Sequence, residues 1–239
     1  MTEDGERPRK VRRLASSKPK LGRMVTVCVG TGEEAREFHV HDEILKRHSD
    51  FFKAALAGDR WQEGVERKVS LPEDKPEVFE GFQCFIYSGL SFVEGEAHTR
   101  TSKPGRTVDG EYAVIVEAWK LADKLQSCSY KDASTDSLAL KMAAEIGVPL
   151  SMQAGLAEGT SMSAGLVRLL LDVAVRQWDV EDFAQLDLDQ TPKAFVQKLL
   201  VGLAEKKNRR DADRLWMKGD CHYHDHGEEK PCYKTMFTY

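Results

Sequence analysis

Long apolar runs are missing from this sequence. Nothing in its 239 residues approaches the roughly 20 consecutive apolar side chains that span a bilayer. The charged N-terminus has no apolar stretch behind it, so a secretory signal is not expected. Cysteine is scarce and odd in number: Cys28, Cys84, Cys128, Cys221 and Cys232. Five scattered thiols make a poor disulfide framework and point to a reduced setting, the cytoplasm or the nucleus. Acids are absent from positions 7–23, which hold Arg7, Arg9, Lys10, Arg12, Arg13, Lys18, Lys20 and Arg23. The rest of the chain leans the other way. Its first 23 residues carry eight basic and three acidic side chains, and without them 35 basic against 39 acidic becomes 27 against 36, a net of −9. An acidic body is a poor ligand for nucleic acid, because phosphate contacts supply most of that affinity. Only the basic arm suits such a contact, and an address is its more natural role.

The signatures of common enzyme classes are missing as well. Gly30-Thr31-Gly32 lacks the glycine and lysine that complete a phosphate loop. Gly159-Thr160-Ser161-Met162-Ser163 fails at the last position of a nucleophile elbow. His39 and His41 alternate along a strand with no nucleophile to pair with. Cys28, Cys84 and Cys128 lie in apolar-patterned segments, where a thiol acts as a small hydrophobe. No catalytic residue is assigned, and the chain reads as non-enzymatic.

What is present is enough for a packed core, with 41% hydrophobic and 31% charged residues. Residues 1–22 read as a disordered basic tail, since they have too little apolar surface to offset ordering entropy. Arg9, Lys10, Arg12 and Arg13, followed by Lys18-Pro19-Lys20, have the form of a nuclear import signal; a solvated charged tail is the alternative. Arg13-Leu14-Ala15-Ser16 has the form of a basophilic kinase site. Val25, Val27 and Val29 alternate with Thr26 and Cys28, and Phe38 and Val40 alternate with histidines, which predicts a β-hairpin. Helical spacing starts at His41 with Ile44 and Leu45. Ser49 is placed to cap a second helix carrying Phe51 and Phe52. Val69 and Leu71 predict a short strand, and Pro76 opens a helix that Gly89 stops. Leu90, Phe92 and Val93 predict a last strand. Residues 95–110 read as a loop and 149–163 as a linker. Further helices are predicted around Ile115 to Leu125, 132–146, Leu166 to Trp178, and from Thr191-Pro192 onward. The class is α+β with an all-helical extension.

The segment from Met24 to about Lys141 resembles a BTB/POZ domain, in particular those of filamentous fungi. The resemblance is carried by Phe38-His39-Val40-His41-Asp42-Glu43-Ile44-Leu45, then Ser49-Asp50-Phe51-Phe52-Lys53-Ala54-Ala55-Leu56. It continues in Val69-Ser70-Leu71-Pro72, Pro76-Glu77-Val78-Phe79, Phe85-Ile86-Tyr87-Ser88-Gly89 and Ala118-Trp119-Lys120-Leu121-Ala122-Asp123-Lys124-Leu125. Gly22-Arg23 stand where family members often carry Ser-Asp. The resemblance implies a small sheet capped by helices and a protein-interaction role, with the chain itself as one partner in a homodimer. It divides the chain into a basic tail (1–22), a BTB/POZ domain (23–141), a helical extension with a linker (142–210) and a Cys/His-rich tail (211–239). His41, Leu45, Phe51, Trp61 and Glu63 are then the partner-facing candidates. In cullin-binding members a hydrophobic residue, any residue and a glutamate follow the second helix. Trp61-Gln62-Glu63 occupies that place, so the specific version is a substrate receptor of a cullin ubiquitin ligase; Trp61 capping its own core is the alternative. From another class comes a nuclear transcription or chromatin regulator that uses the basic arm.

Three of the seven histidines crowd into Cys221-His222-Tyr223-His224-Asp225-His226, with Cys232 after them. Cys221, His224, His226 and Cys232 offer the four sulfur and nitrogen donors of a closed tetrahedral zinc site. His222 can replace His224, and a solvated polar tail is the other reading. A catalytic zinc would need an open position and a general base, for which only Asp225, Glu228 and Glu229 are at hand.

Overall fold

The computed structural model describes residues 21–57, 62–90, 110–144, 164–178, 180–184, 186–189, 191–206, 221–226 and 230–237. Strand β1 (Met24–Val29) buries Val25, Val27 and Val29 and turns Thr26 and Cys28 to the other face, as period-two alternation requires. Strand β2 (Arg36–His41) pairs antiparallel to it, with Val27 opposite Phe38 and Val25 opposite Val40. Strand β3 (Lys68–Leu71) runs parallel to β1 on its other side, giving the order β2-β1-β3. A parallel neighbour needs a crossover. Helices α1 (Asp42–His48), α2 (Asp50–Ala55) and α3 (Gln62–Glu66) provide it. The strand expected at Leu90 does not begin there. Gly89 adopts a left-handed φ of 74° that ends helix α4 (Pro76–Ser88), and the Leu90 amide donates to Ser88 Oγ, a local turn in place of a ladder bond. Phe92 and Val93 lie outside the described residues, as do the linker, Trp61, residues 1–20 of the basic tail with Arg9, Lys10, Arg12 and Arg13, and the loop expected at 95–110 save Gly110, which begins a helix.

The sheet and α1–α4 close a first core. Ser49 caps α2 as its type predicts: its Oγ accepts from Phe52 N at 3.1 Å and donates to the Leu125 carbonyl at 2.6 Å. Phe52, Phe79, Phe82 and Phe85 are all fully buried; the rings of the first three lie 5.7–6.5 Å apart, and Tyr130 tilts against Phe82 at 5.4 Å and Phe85 at 5.0 Å. Asp42 begins α1 and is 4% exposed. Burial opposes its ionisation, but Arg67 at 2.8 Å, the Arg23 N–H at 2.8 Å and Lys46 at 3.2 Å outweigh it and hold the carboxyl at about 2. Gly22 crosses this carboxylate so closely that a β-carbon there would strike it, so the backbone of Gly22-Arg23 serves as a lid on Asp42. Cys28, Cys84 and Cys128 are half-buried rather than core residues. Cys28 alternates with two valines and so faces the polar side, its thiol 3.5 Å from Glu37.

Helices α5 (Gly110–Lys124) and α6 (Cys128–Ala144) form a hairpin that belongs to two cores. Its closed end contributes Leu121, Ala122, Leu125, Tyr130 and Ala133 to the first core. Its open end gives Tyr112, Ile115, Trp119, Leu138 and Met142 to a second. Helix α7 (Gly165–Gln177) completes that second core with Leu166, Leu169, Leu170 and Val173, and helix α9 (Lys193–Lys206) covers it with Phe195 and Leu199. The short helix α8 (Val180–Ala184) brings Phe183 onto Trp178. α6 runs unbroken across positions 141 and 142, within the helix expected at 132–146. Among the described residues no helix is long and apolar enough to cross a membrane.

Candidate metal centre and docking surface

Residues 221–226 form a turn, and a one-turn helix, α10 (Tyr233–Met236), follows Cys232. The His224 amide donates to the Cys221 carbonyl at 3.0 Å, which folds the two residues onto one side of the turn. Cys221, His224, His226 and Cys232 each offer one donor atom, and the four donor atoms lie within 4.8 Å of one another. His224 Nδ1 is 3.6 Å from Cys232 Sγ. Two ligands of a tetrahedral zinc, with Zn–S of about 2.3 Å and Zn–N of about 2.0–2.1 Å, stand roughly 3.5 Å apart, so this pair is already at ligand spacing. Two soft sulfurs and two imidazoles suit zinc better than hard cations, which take oxygen donors. The geometry chooses His224 over His222, whose ring lies largely in solvent 3.8 Å from Asp172.

Helix α6 carries the support for this cluster. The far nitrogen of His224, Nε2, faces Asp136 Oδ1 at 3.0 Å, so the ring is held with Nδ1 toward Cys232. A carboxylate behind a ligating imidazole fixes its tautomer and strengthens it as a donor. Asp136 accepts from Tyr233 Oη at 2.6 Å and pairs with Lys234 at 2.7 Å. Burial disfavours its charge, but these three partners reverse that and lower its pKa. One helical turn earlier, Asp132 Oδ1 accepts from the Asp225 amide at 2.7 Å. Burial raises Asp132 to about 6, with the Asp225 N–H and the nearby His224 and His226 pulling the other way. Cys221 is raised, first by burial and then by Cys232. Two neighbouring thiols resist becoming thiolates together, and a divalent cation relieves that cost. Asp132, Asp136 and Arg168 were not singled out from sequence, and Asp225 was named there only as a base for a catalytic zinc. The one available signal was two acids at helical i, i+4 spacing on a helix that also buries Ser129, Ser134 and Thr135.

The docking candidates separate on different grounds. His41 is half-buried at the end of β2, its amide donating to Tyr87 Oη at 3.0 Å and its Nδ1 lying 2.7 Å from the same hydroxyl. Leu45 has no exposed surface and packs in the first core, so it is a packing residue in this fold, because α1 turns that face onto the sheet. Phe51 is half-buried, edge-on to Phe52 at 5.2 Å. Glu63 sits on α3, and Val65 of the same helix is 63% exposed.

A search of curated proteins found no match. A family comparison did: residues 18–102, which contain every element from β1 to α4, match the BTB/POZ domain, and this segment of the chain is therefore a BTB/POZ domain.

Proposed function

We propose that this chain is a non-catalytic adaptor that joins proteins through its BTB/POZ domain, with a zinc-structured C-terminal tail. The BTB/POZ match over residues 18–102 carries the proposal. The mechanism is burial of apolar helix surface within a polar rim that sets the register. Self-association is the first interaction, and light scattering of the purified chain tests it, with a monomer at all concentrations as the refuting result.

The specific version is a substrate receptor for a cullin. Its support is Trp61-Gln62-Glu63 in the segment that follows α2, together with the exposed Val65 on the helix that carries Glu63. An aromatic anchor in an interface typically costs about 2 kcal/mol or more when truncated. Trp61→Ala is therefore expected to weaken cullin binding by roughly thirtyfold or more in calorimetry, and absence of any complex with the unaltered chain rejects this version.

Zinc is assigned to Cys221, His224, His226 and Cys232 as a structural ion. The closed set of four protein donors leaves no open position for a substrate or an activated water. About one zinc per chain by elemental analysis, and the intense visible bands of tetrahedral thiolate-bound cobalt after exchange, are the expected results. Zinc-free protein after purification without chelators would refute the assignment.

A further inference from the structure

Resting on the zinc assignment, we infer that the metal centre is a clasp. It fastens residues 221–226 and 230–237 as a strap across both hydrophobic cores and so locks the helical extension to the BTB/POZ domain. The strap has two anchors, the first interleaved with the donors Cys221, His224 and His226 and the second around and beyond Cys232. At its start Tyr223 is 5% exposed and belongs to the second core, and its hydroxyl donates to Asp172 of α7 at 2.8 Å. The Tyr223 carbonyl lies over Gly165 so tightly that a β-carbon at 165 would collide with it. Arg168 donates to the carbonyls of His222 at 3.2 Å and His224 at 2.9 Å. Asp225 caps α7 from outside, taking the Gly165 N–H at 2.6 Å, a role that Ala164 has no side chain to perform.

At its other end the strap reaches the first core. Tyr233 and Phe237 pack on Phe85, with centroids at 6.0 and 5.4 Å, and Phe237 stacks on His48 at 5.4 Å with the planes 14° apart. The ring of Phe237 fills the space beside Gly89, where no β-carbon would fit. Lys230 reaches Asp50 of α2 at 3.3 Å. Between the anchors, Asp132 and Asp136 of α6 hold the centre itself. Apart from the single turn of α10, the described strap has no regular structure to order it. A cross-link that draws Cys221 to Cys232 supplies the order, and docking the strap in turn gathers the four donors. Two events that assist each other are linked reciprocally: zinc favours docking by the same factor by which docking favours zinc.

The test uses the full chain in two measurements. Hydrogen exchange is followed with zinc bound and after chelation, with metal release confirmed by a colorimetric zinc assay. Zinc affinity is measured against a competing chelator for the unaltered chain, for Phe237→Ala and for Asp172→Ala, which keep all four donors and touch opposite anchors. The clasp predicts that chelation strips protection from residues 165–168 and 85–89 as well as from the strap, while β1 keeps its own. It also predicts that Phe237→Ala weakens zinc about tenfold, and Asp172→Ala by a smaller factor. Zinc bound at unaltered affinity in both variants, with exchange changing only at 221–232, overturns the clasp and leaves the zinc assignment standing. A chain that binds no zinc overturns both.

Discussion

Cys232→Ser is expected to weaken zinc binding by a hundredfold or more. A structural zinc in a four-donor peptide site is worth about 10–16 kcal/mol at neutral pH, so one donor of four carries roughly 3 kcal/mol. Serine keeps the volume of cysteine but not its soft, ionisable sulfur. Asp136→Asn is the informative companion. It leaves all four donors in place and removes the carboxylate charge behind His224 Nε2, now 3.0 Å from Asp136 Oδ1. Loss of such a supporting group typically costs about 10–100-fold in metal affinity. The expected order of zinc affinity is therefore unaltered chain, then Asp136→Asn, then Cys232→Ser, read by competition with a chelator of known affinity. Asp136→Asn binding as tightly as the unaltered chain would mean that Asp136 serves only Tyr233 and Lys234. In that case His224 takes its orientation from elsewhere.

Acid is expected to destabilise this chain through His48, by about 3 kcal/mol at pH 4. His48 is 6% exposed, between Phe85 and the strap residue Phe237, with Ser129 Oγ at 3.5 Å. Burial, and then the positive charge of Arg47, lower its pKa from 6.5 to about 4. The folded chain thus resists the proton that the unfolded chain accepts. Above pH 6.5 the ring is neutral in both states and His48 adds no slope. From 6.5 down to about 4 the unfolded state binds more protons, so stability falls with pH, and below 4 the loss levels off. The zinc donors also take up protons in acid, so the comparison must be with a variant that keeps them. His48→Phe retains a ring against Phe85 and Phe237 and has nothing to titrate. Urea unfolding between pH 7 and pH 4 should show the unaltered chain losing about 3 kcal/mol more than His48→Phe. Parallel pH profiles would mean that solvent reaches the ring, and with it that Phe237 does not cover His48 as described.

Much of this fold was legible because it is written in neighbouring residues. Val25, Val27 and Val29 announced β1, Ser49 announced its cap on α2, and Pro76 and Gly89 bracketed α4. The four donors were legible for the same reason. Cysteine and histidine at that density over twelve positions have few other uses, and the fold gathers those four and leaves His222 aside. The face of Leu45 was not legible, since apolar spacing says that a residue is covered but not by what. Nor were the short helices α3 and α8, which are held by their surroundings and not by their own propensity.

The sequence by itself determined the local periods, the caps and breakers, the acidic body behind a basic arm, and the crowding of cysteine and histidine in the tail. All of these follow from covalent geometry and side-chain chemistry over a few residues. Only the tertiary structure decided that α5 and α6 serve two cores at once, and that Asp132 and Asp136 stand behind the donors from 93 and 97 positions away along the chain to Asp225 and Tyr233. It also decided that a polar tail ends in a ring seated on Phe85. Contacts at such separations depend on how whole helices pack against one another, and no local pattern records that choice.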